Sequence, residues 1–287
     1  KNFILKLQKE NVDMVFNLCN GIRGETRLAQ VPAILEFFGI PYTGSSILGH
    51  ALSINKVISS RIFKSKGINT PGFLPVYRKS DLTQLKSKIC FPAIVKPADE
   101  GSSRGVHQDS LVYDMKSLSE KLKEELEVYN PPIMINEYIP GREFTVGILG
   151  CRNDVKVLPI LEISYDHLPD HLPKFSSFEL KCHYNGYRSK DLCPAPLDDE
   201  LESAIIKTAK AAYRALDIRD YGRVDIRLKD DVPYVLEINS LPGLERGYSD
   251  ITKMADVAGL GYEGLVYSIV DSAIKRYHFY KPEDCVV

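Results

Sequence analysis

Between Gly222 and Ser240 apolar residues recur at every second position on either side of a short charged break. Successive strand side chains alternate faces, so Val224, Ile226, Leu228, Leu236 and Ile238 share one side of a predicted hairpin. Arg223, Asp225, Glu237 and Asn239 share the other. With "KDDVP" as the loop, Arg223 lies opposite Asn239 and Asp225 opposite Glu237. Further strand patterns are "VDMVFNL", "FPAIVKP", "IMINEYI" and the strand entered through "PGREFTVGIL". Helical spacing governs "TRLAQVPAILEFF", which Gly39 stops, and "NKVISSRIFKSK", which ends at Gly67 with Pro71 beyond. It returns in "SLSEKLKEEL", in "DELESAIIKTAKAAYRAL" behind the capping residue Asp198, and from about Ser249 to Tyr277. Helices and strands therefore alternate throughout, the mark of an α/β protein opening with a βαβ unit. From Phe175 to Pro196 neither period holds, and a stretch of that kind inside a compact domain is expected to be a functional lid.

The 287 residues suffice for one large or two to three small domains. A formal net charge of −1 gives no general attraction to nucleic acid or membranes, so any nucleotide is held locally. Six cysteines without a C-x-x-C pair read as reduced thiols, pointing to the cytoplasm. No apolar run reaches the roughly 20 residues of a membrane span, and a soluble protein is expected. The sequence opens at Lys1 instead of Met, and upstream sequence is expected to be absent.

The polar face of the hairpin carries the first chemical argument. Opposed strand side chains stand about 4.5–5.5 Å apart, where like charges repel, so Asp225 and Glu237 call for something between them. Two carboxylates and an amide oxygen suit a hard divalent cation such as Mg2+, and Arg223 beside them can counter phosphoryl charge. The alternative is a solvated sheet face. In "VKPADEGSSRGV", Lys96 leaves a strand into a Gly- and Ser-rich loop whose backbone N–H groups can cradle phosphate, or which is simply a turn. Lys56 begins a helix, where a surface lysine is the ordinary alternative. In "NEYIPGREF", Glu137 and Glu143 flank the apolar Tyr138 and Ile139, a connector able to hold adenine and ribose or an ordinary turn. "NGIRGE" lies between strand and helix, where backbone donors favour an anion, but it lacks a full dinucleotide fingerprint. The six histidines form no ligand-spaced group, and no G-x-S-x-G elbow is present.

Taken in this order, "GIPYTGS", "IVKPADEGSSRGV", "EYIPGREFTVGIL" and "RVDIRLKDDVPYVLEINSLPGL" resemble the ATP-grasp superfamily, specifically the D-alanine:D-alanine ligases, from about Val15 to Leu265. The resemblance implies an ATP-grasp fold of two α+β subdomains gripping ATP. A truncated Rossmann-like βαβ domain is expected over 1–54, a central subdomain over 55–139, and a C-terminal subdomain over 140–287 with a lid at 175–196. It implies a ligase that forms a peptide bond through an acyl phosphate, using ATP and Mg2+, with two ions expected and Mn2+ as a substitute. Lys56, Lys96 and Lys181 would contact phosphates under a loop of Glu100, Gly101, Ser102 and Ser103. Glu137, Tyr138, Ile139 and Glu143 would hold adenosine. Asp225, Glu237 and Asn239 match metal ligands. Arg223, Ser102 and the Gly243 N–H form the catalytic set, and Glu25, Arg223, Gly243, Tyr248 and Ser249 the amino-acid contacts. By the same resemblance the partners are small molecules and a second copy of the chain, with no nucleic acid or membrane.

Three features depart from the family. Its opening strand and glycine-rich loop, with a glutamate and a serine for the first amino acid, have no counterpart. Cys182 stands where the family has a lid tyrosine. "ERGYSD" replaces a Ser-His-Ser-type segment that receives the second carboxylate. A nucleotide-binding regulatory or catalytically silent homologue is therefore the alternative. A nicotinamide dehydrogenase built on the βαβ start is a weaker one.

Overall fold

Two antiparallel sheets organise the chain in the computed structural model, which describes residues 2–10, 12–169, 172, 174–181 and 189–278. Cys182 lies outside the described residues. Helix α1 (Asn2–Lys9) leads into the segment expected to be a strand, "VDMVFNL". That strand is reduced to one parallel bridge, Val15 to Tyr42, with Val15 N–H donating to the Pro41 carbonyl at 2.8 Å and Thr43 N–H to the Val15 carbonyl at 3.0 Å. A ladder needs a neighbour along its length, and among the described residues the segment meets one at this point alone. The helix between is also shorter than expected. A 3-10 turn occupies Arg27–Ala29, and α2 (Gln30–Phe37) begins late enough to hold Pro32 in its first turn, where no intrahelical donor is required. The βαβ outline survives at its minimum, a parallel pairing across a helix.

Helices α3 (Ile47–Ile54) and α4 (Lys56–Ser65) meet at Asn55. Ser46 caps the first, accepting from Gly49 N–H at 3.2 Å, and Asn55 caps the second, accepting from Ile58 N–H at 3.0 Å. The second cap makes Lys56 the first residue of α4.

The smaller sheet contains β1 (Phe73–Val76), β2 (Ala93–Pro97), β3 (Leu111–Val112) and β4 (Ile133–Glu137) in the order β1-β4-β2-β3, with the short α5 (Leu82–Leu85) and α6 (Met115–Val128) between strands in sequence. Alternation sorts its faces. Ala93, Val95, Ile133 and Ile135 pack on Leu118 and Leu122 of α6, while Met134 on the other face meets Val57 of α4. Ile94 and Lys96 take the opposite parity to Ala93 and Val95, and line a cavity.

The larger sheet contains β5 (Glu143–Cys151), β6 (Asp154–Val157), β7 (Leu161–Ser164), β8 (Lys190–Leu192), β9 (Tyr221–Lys229) and β10 (Val232–Asn239). Its order is β10-β9-β5-β7-β8, with β6 on β5. Helix α7 (Phe178–Lys181) precedes β8, so the 175–196 segment carries a helical turn and a strand that pairs with β7, contrary to the periodless reading. Helix α8 (Asp199–Ala215) covers one face through Ile205, Ala209, Ala212 and Tyr213, which meet Val146, Val224 and Val235. Helices α9 (Asp250–Val257) and α10 (Gly261–Arg276) cover the other through Ile251, Met254, Leu265 and Ile269. Covered on both sides, β5 is buried over its first seven residues. No described helix is long and apolar enough to cross a membrane.

Candidate active site

The β9–β10 hairpin sets the geometry. Its ladder pairs Arg223 with Asn239 and Asp225 with Glu237 as alternation requires, but the loop is shorter than "KDDVP". Lys229 pairs with Val232, leaving a two-residue turn, Asp230–Asp231, whose φ values of 50° and 60° are both left-handed as a type I′ hairpin turn demands. The extra residue reappears as a bulge between Val235 and Glu237. Its effect corrects the sequence assignment: Val235, not Leu236, enters the core, and Leu236 joins Glu237 in lining the cavity.

The repulsion expected between the opposed carboxylates is relieved by side-chain cations. Arg223 grips Asp225 through two bonds, Nε to Oδ1 at 2.9 Å and Nη2 to Oδ2 at 3.0 Å, and reaches Asp250 at 3.0 Å. Thr145, opposite Asp225 on β5, donates to Oδ1 at 2.7 Å, and the Asn239 amide donates to Oδ2 at 2.9 Å. Glu237 stands 3.4 Å from the Lys56 ammonium. Burial alone would raise the Glu237 pKa, but the charges of Lys56, Lys96, Lys181 and Arg223 outweigh it and hold the carboxyl at about 2. Burial pushes Lys96 down to about 8, with Glu237 the main opposing influence. Lys56 is buried, and its ammonium also donates to the Glu100 carbonyl. A lysine that opens a helix adds its charge to the positive end of the macrodipole, a costly placement unless an anion is to be bound there.

The Gly/Ser loop closes one side. Ser102 and Ser103 both hold φ at 57°, the left-handed region that lets successive backbone donors curve around an anion. Ser103 Oγ donates to the Ser176 carbonyl at 2.9 Å and Phe178 N–H to the Val106 carbonyl at 2.8 Å. His107 Nδ1 lies 2.7 Å from Glu179. The loop is thus joined to the start of the expected lid by three polar contacts, none of them involving position 182. Glu100 is flanked by Arg27 at 3.4 Å and Arg104 at 3.6 Å.

Beyond Lys96 the cavity is walled by the connector and apolar side chains: Pro71, Ile94, Tyr138, Ile139, Ile163, Phe175 and Leu236. Glu137 lies at the rim, accepting from Gly72 N–H at 3.2 Å and standing 3.4 Å from Lys229. Glu143 is buried against Arg227, its cross-strand partner, at 2.9 Å. Arg227 escaped the sequence reading although its odd number put it on the same face as Arg223 and Asp225.

A second cavity continues from the first past Gly101, Ser102, Asn239 and Gly243 to Leu18, Arg27, Glu245 and Tyr262. Lys56, Glu100, Gly101, Lys181, Arg223 and Glu237 line both. Three of the substrate candidates stand apart from these two cavities. Glu25 and Tyr248 are exposed, and Ser249 turns its hydroxyl to Glu245 N–H at 2.9 Å, closing its own loop. Arg27, which no motif singled out, lines the second cavity and donates to the Asp99 carbonyl at 3.0 Å.

Among the described residues no three His, Cys, Asp or Glu side chains gather as a metal site. The hairpin offers two carboxylates and an amide, oxygen donors only, with Glu237 ionised across the neutral range; that donor chemistry fits a hard cation such as Mg2+.

Comparison with known proteins agrees with the geometry. A family model described as the D-ala D-ala ligase C-terminus matches residues 62–271. The uncharacterized protein y4sG of Sinorhizobium fredii is 39% identical, over 92% of this chain and 75% of its own length. A D-alanine–D-alanine ligase of Pseudothermotoga lettingae is 35% identical, over 92% and 82%. The Bacillus anthracis D-alanine–D-alanine ligase, solved in complex with ATP, superposes with a TM-score of 0.77 at 30% identity, covering 96% of this chain and 84% of that one. The VanG D-Ala:D-Ser ligase of Enterococcus faecalis shares the fold, with a TM-score of 0.76 at 23% identity over 92% and 74%. With the family model spanning most of the chain and relatives above 30% identity along nearly all of it, the protein belongs to the D-alanine–D-alanine ligase family of ATP-dependent ligases and carries its ATP-grasp fold.

Proposed function

We propose that this chain joins two amino acids, D-alanine or close analogues, through an acyl phosphate formed at the expense of ATP. The observation that carries the proposal is a junction: Lys56, Lys181, Arg223 and Glu237 line both the apolar-walled cavity and its neighbour. A phosphoryl group passing from a nucleotide in the first cavity to a carboxylate in the second would cross there. Lys56 and Lys96 neutralise charge on the transferring phosphoryl, and the 101–103 backbone holds its oxygens. Asp225, Glu237 and Asn239 would hold Mg2+, which when bound would supply neutralisation of the phosphate charge.

The second amino acid's amine then adds to the activated carbonyl. Arg223 and the Gly243 N–H face the developing oxyanion, and inorganic phosphate departs as the amide forms. Burial keeps Arg223 from being charged as readily as in water, but Asp225 and Asp250 more than restore this and hold its pKa above the usual arginine range. It stays a cation throughout. Phe175 and Ser176 cover the nucleotide side, where water would otherwise reach the acyl phosphate.

The test is to incubate the chain with ATP, Mg2+ and D-alanine or a panel of other amino acids, measuring ADP, phosphate and dipeptide together. Equal yields of the three support the proposal. ATP binding without amino-acid-dependent ADP release would identify a silent homologue instead.

A further inference from the structure

We infer that Arg227 is the positioning residue that gives the nucleotide cavity its preference for ribose over deoxyribose, acting through Glu143; this rests on the nucleotide reading above. Arg227 is 2% exposed, and its guanidinium is spent on three walls at once. Nε donates to Glu143 Oε2 at 3.0 Å, and Nη2 lies 2.9 Å from the same oxygen. Nη1 donates to the Ile139 carbonyl of the connector at 2.7 Å, and Nη2 to the Lys174 carbonyl ahead of α7. The plane stacks 5.1 Å from the Tyr138 ring, whose hydroxyl donates to that same Lys174 carbonyl at 3.3 Å.

Two consequences follow from this arrangement. Both Arg227 contacts to Glu143 fall on Oε2, and the buried Tyr165 hydroxyl bonds the same carboxylate; with about four acceptor sites on its two oxygens, Glu143 keeps acceptor capacity where it lines the cavity. A charged acceptor of fixed orientation suits sugar hydroxyls, which are donors, and gives nothing to a carbon that lacks one. The same guanidinium also fixes the connector and the chain ahead of α7 relative to Glu143, so the sugar acceptor, the base-side wall and the cover share one support. A lysine has the charge but not the planar set of donors needed to reach all of these partners.

Direct titration without amino acids separates this inference from the catalytic one. ATP and 2′-deoxyATP are titrated, with Mg2+, into the unaltered chain and into Arg227→Met, Arg227→Gln and Arg227→Lys. The unaltered chain is expected to bind ATP at least about tenfold more tightly than 2′-deoxyATP, the size of a hydrogen bond to a charged acceptor. In Arg227→Met the ratio falls to about threefold or less, and Arg227→Gln, which keeps a polar group in the site if the methionine variant does not fold, gives the same loss. Arg227→Lys, which keeps the charge beside Glu143 but not the planar donors, gives a ratio between those of the unaltered chain and the methionine variant. A folded methionine or glutamine variant with an unchanged ratio and only a lower melting temperature would make Arg227 structural and overturn the inference alone. So would an unaltered chain without sugar preference. An unaltered chain that binds no ATP would overturn the nucleotide reading with it.

Discussion

His50 ties acid stability to the end of the β9–β10 hairpin. The ring is fully buried in α3, with Nδ1 2.8 Å from the Ser240 hydroxyl, which lies 2.6 Å from that of Ser53; Nε2 has no hydrogen-bond partner. Burial lowers its pKa from 6.5 to about 4. Because the folded value lies below the unfolded one, the unfolded chain binds more protons between them, and stability is lost as pH falls through that window. At pH 5 an unfolded imidazole with a pKa of about 6.5 is almost wholly protonated and the folded ring only about one-tenth so, which makes the loss between pH 7 and pH 5 about 2 kcal/mol. That is a large part of a typical domain stability of about 5–15 kcal/mol. The assay is urea unfolding of the unaltered chain and of His50→Asn at both pH values. Other titrating groups are common to both proteins, so the difference between the two pH dependences isolates the imidazole. The asparagine variant should lose about 2 kcal/mol less than the unaltered chain on acidification. Equal losses in the two proteins would refute the buried, neutral ring.

Glu237→Gln should lower kcat at least about 100-fold while far-UV circular dichroism stays that of a folded chain, because its partners are the cations of the cavity and not the apolar core; turnover within tenfold of normal would contradict this. Gly141 holds φ at 110°, and a Cβ there would sit 2.2 Å from the Leu228 carbonyl, so Gly141→Ala should cost more than about 2 kcal/mol in chemical unfolding and raise the KM for ATP by displacing the connector. Asp198→Ala removes the cap that accepts from Leu201 N–H at 2.8 Å and should cost about 1 kcal/mol in the same assay, with kcat unchanged.

The strongest features of the site were legible because strand alternation is strict over short distances. Parity alone places Arg223, Asp225, Glu237 and Asn239 on one face, and the ladder pairs them as that parity requires. It places Arg227 there as well, but no motif marks that residue, and its partners Glu143, Ile139 and Lys174 lie too far away in sequence for a local pattern to show. Leu236 went to the wrong side because a bulge breaks parity without any sequence signal such as glycine. Lys56 read equally well as a surface lysine. Its burial follows from the α3–α4 junction at Asn55 and from Glu100 and Glu237, contacts 44 and 181 residues away that no local pattern encodes. "VDMVFNL" has strand composition, but composition does not supply a neighbour, and the outcome was one bridge.

The bulge at Leu236 separates two quantities that an uninterrupted hairpin would lock together. Because the register is shifted at that point, the ladder toward the turn and the ladder toward Asn239 would fall into a single phase if this one position were removed. The acid pair would keep its facing while the first cavity lost an apolar side chain. Deletion at Leu236 therefore offers evolution, or an engineer, a way to resize the chamber without disturbing the facing of Asp225 and Glu237. Shortening the Asp230–Asp231 tip offers no such freedom, since a two-residue connection has nothing left to give up.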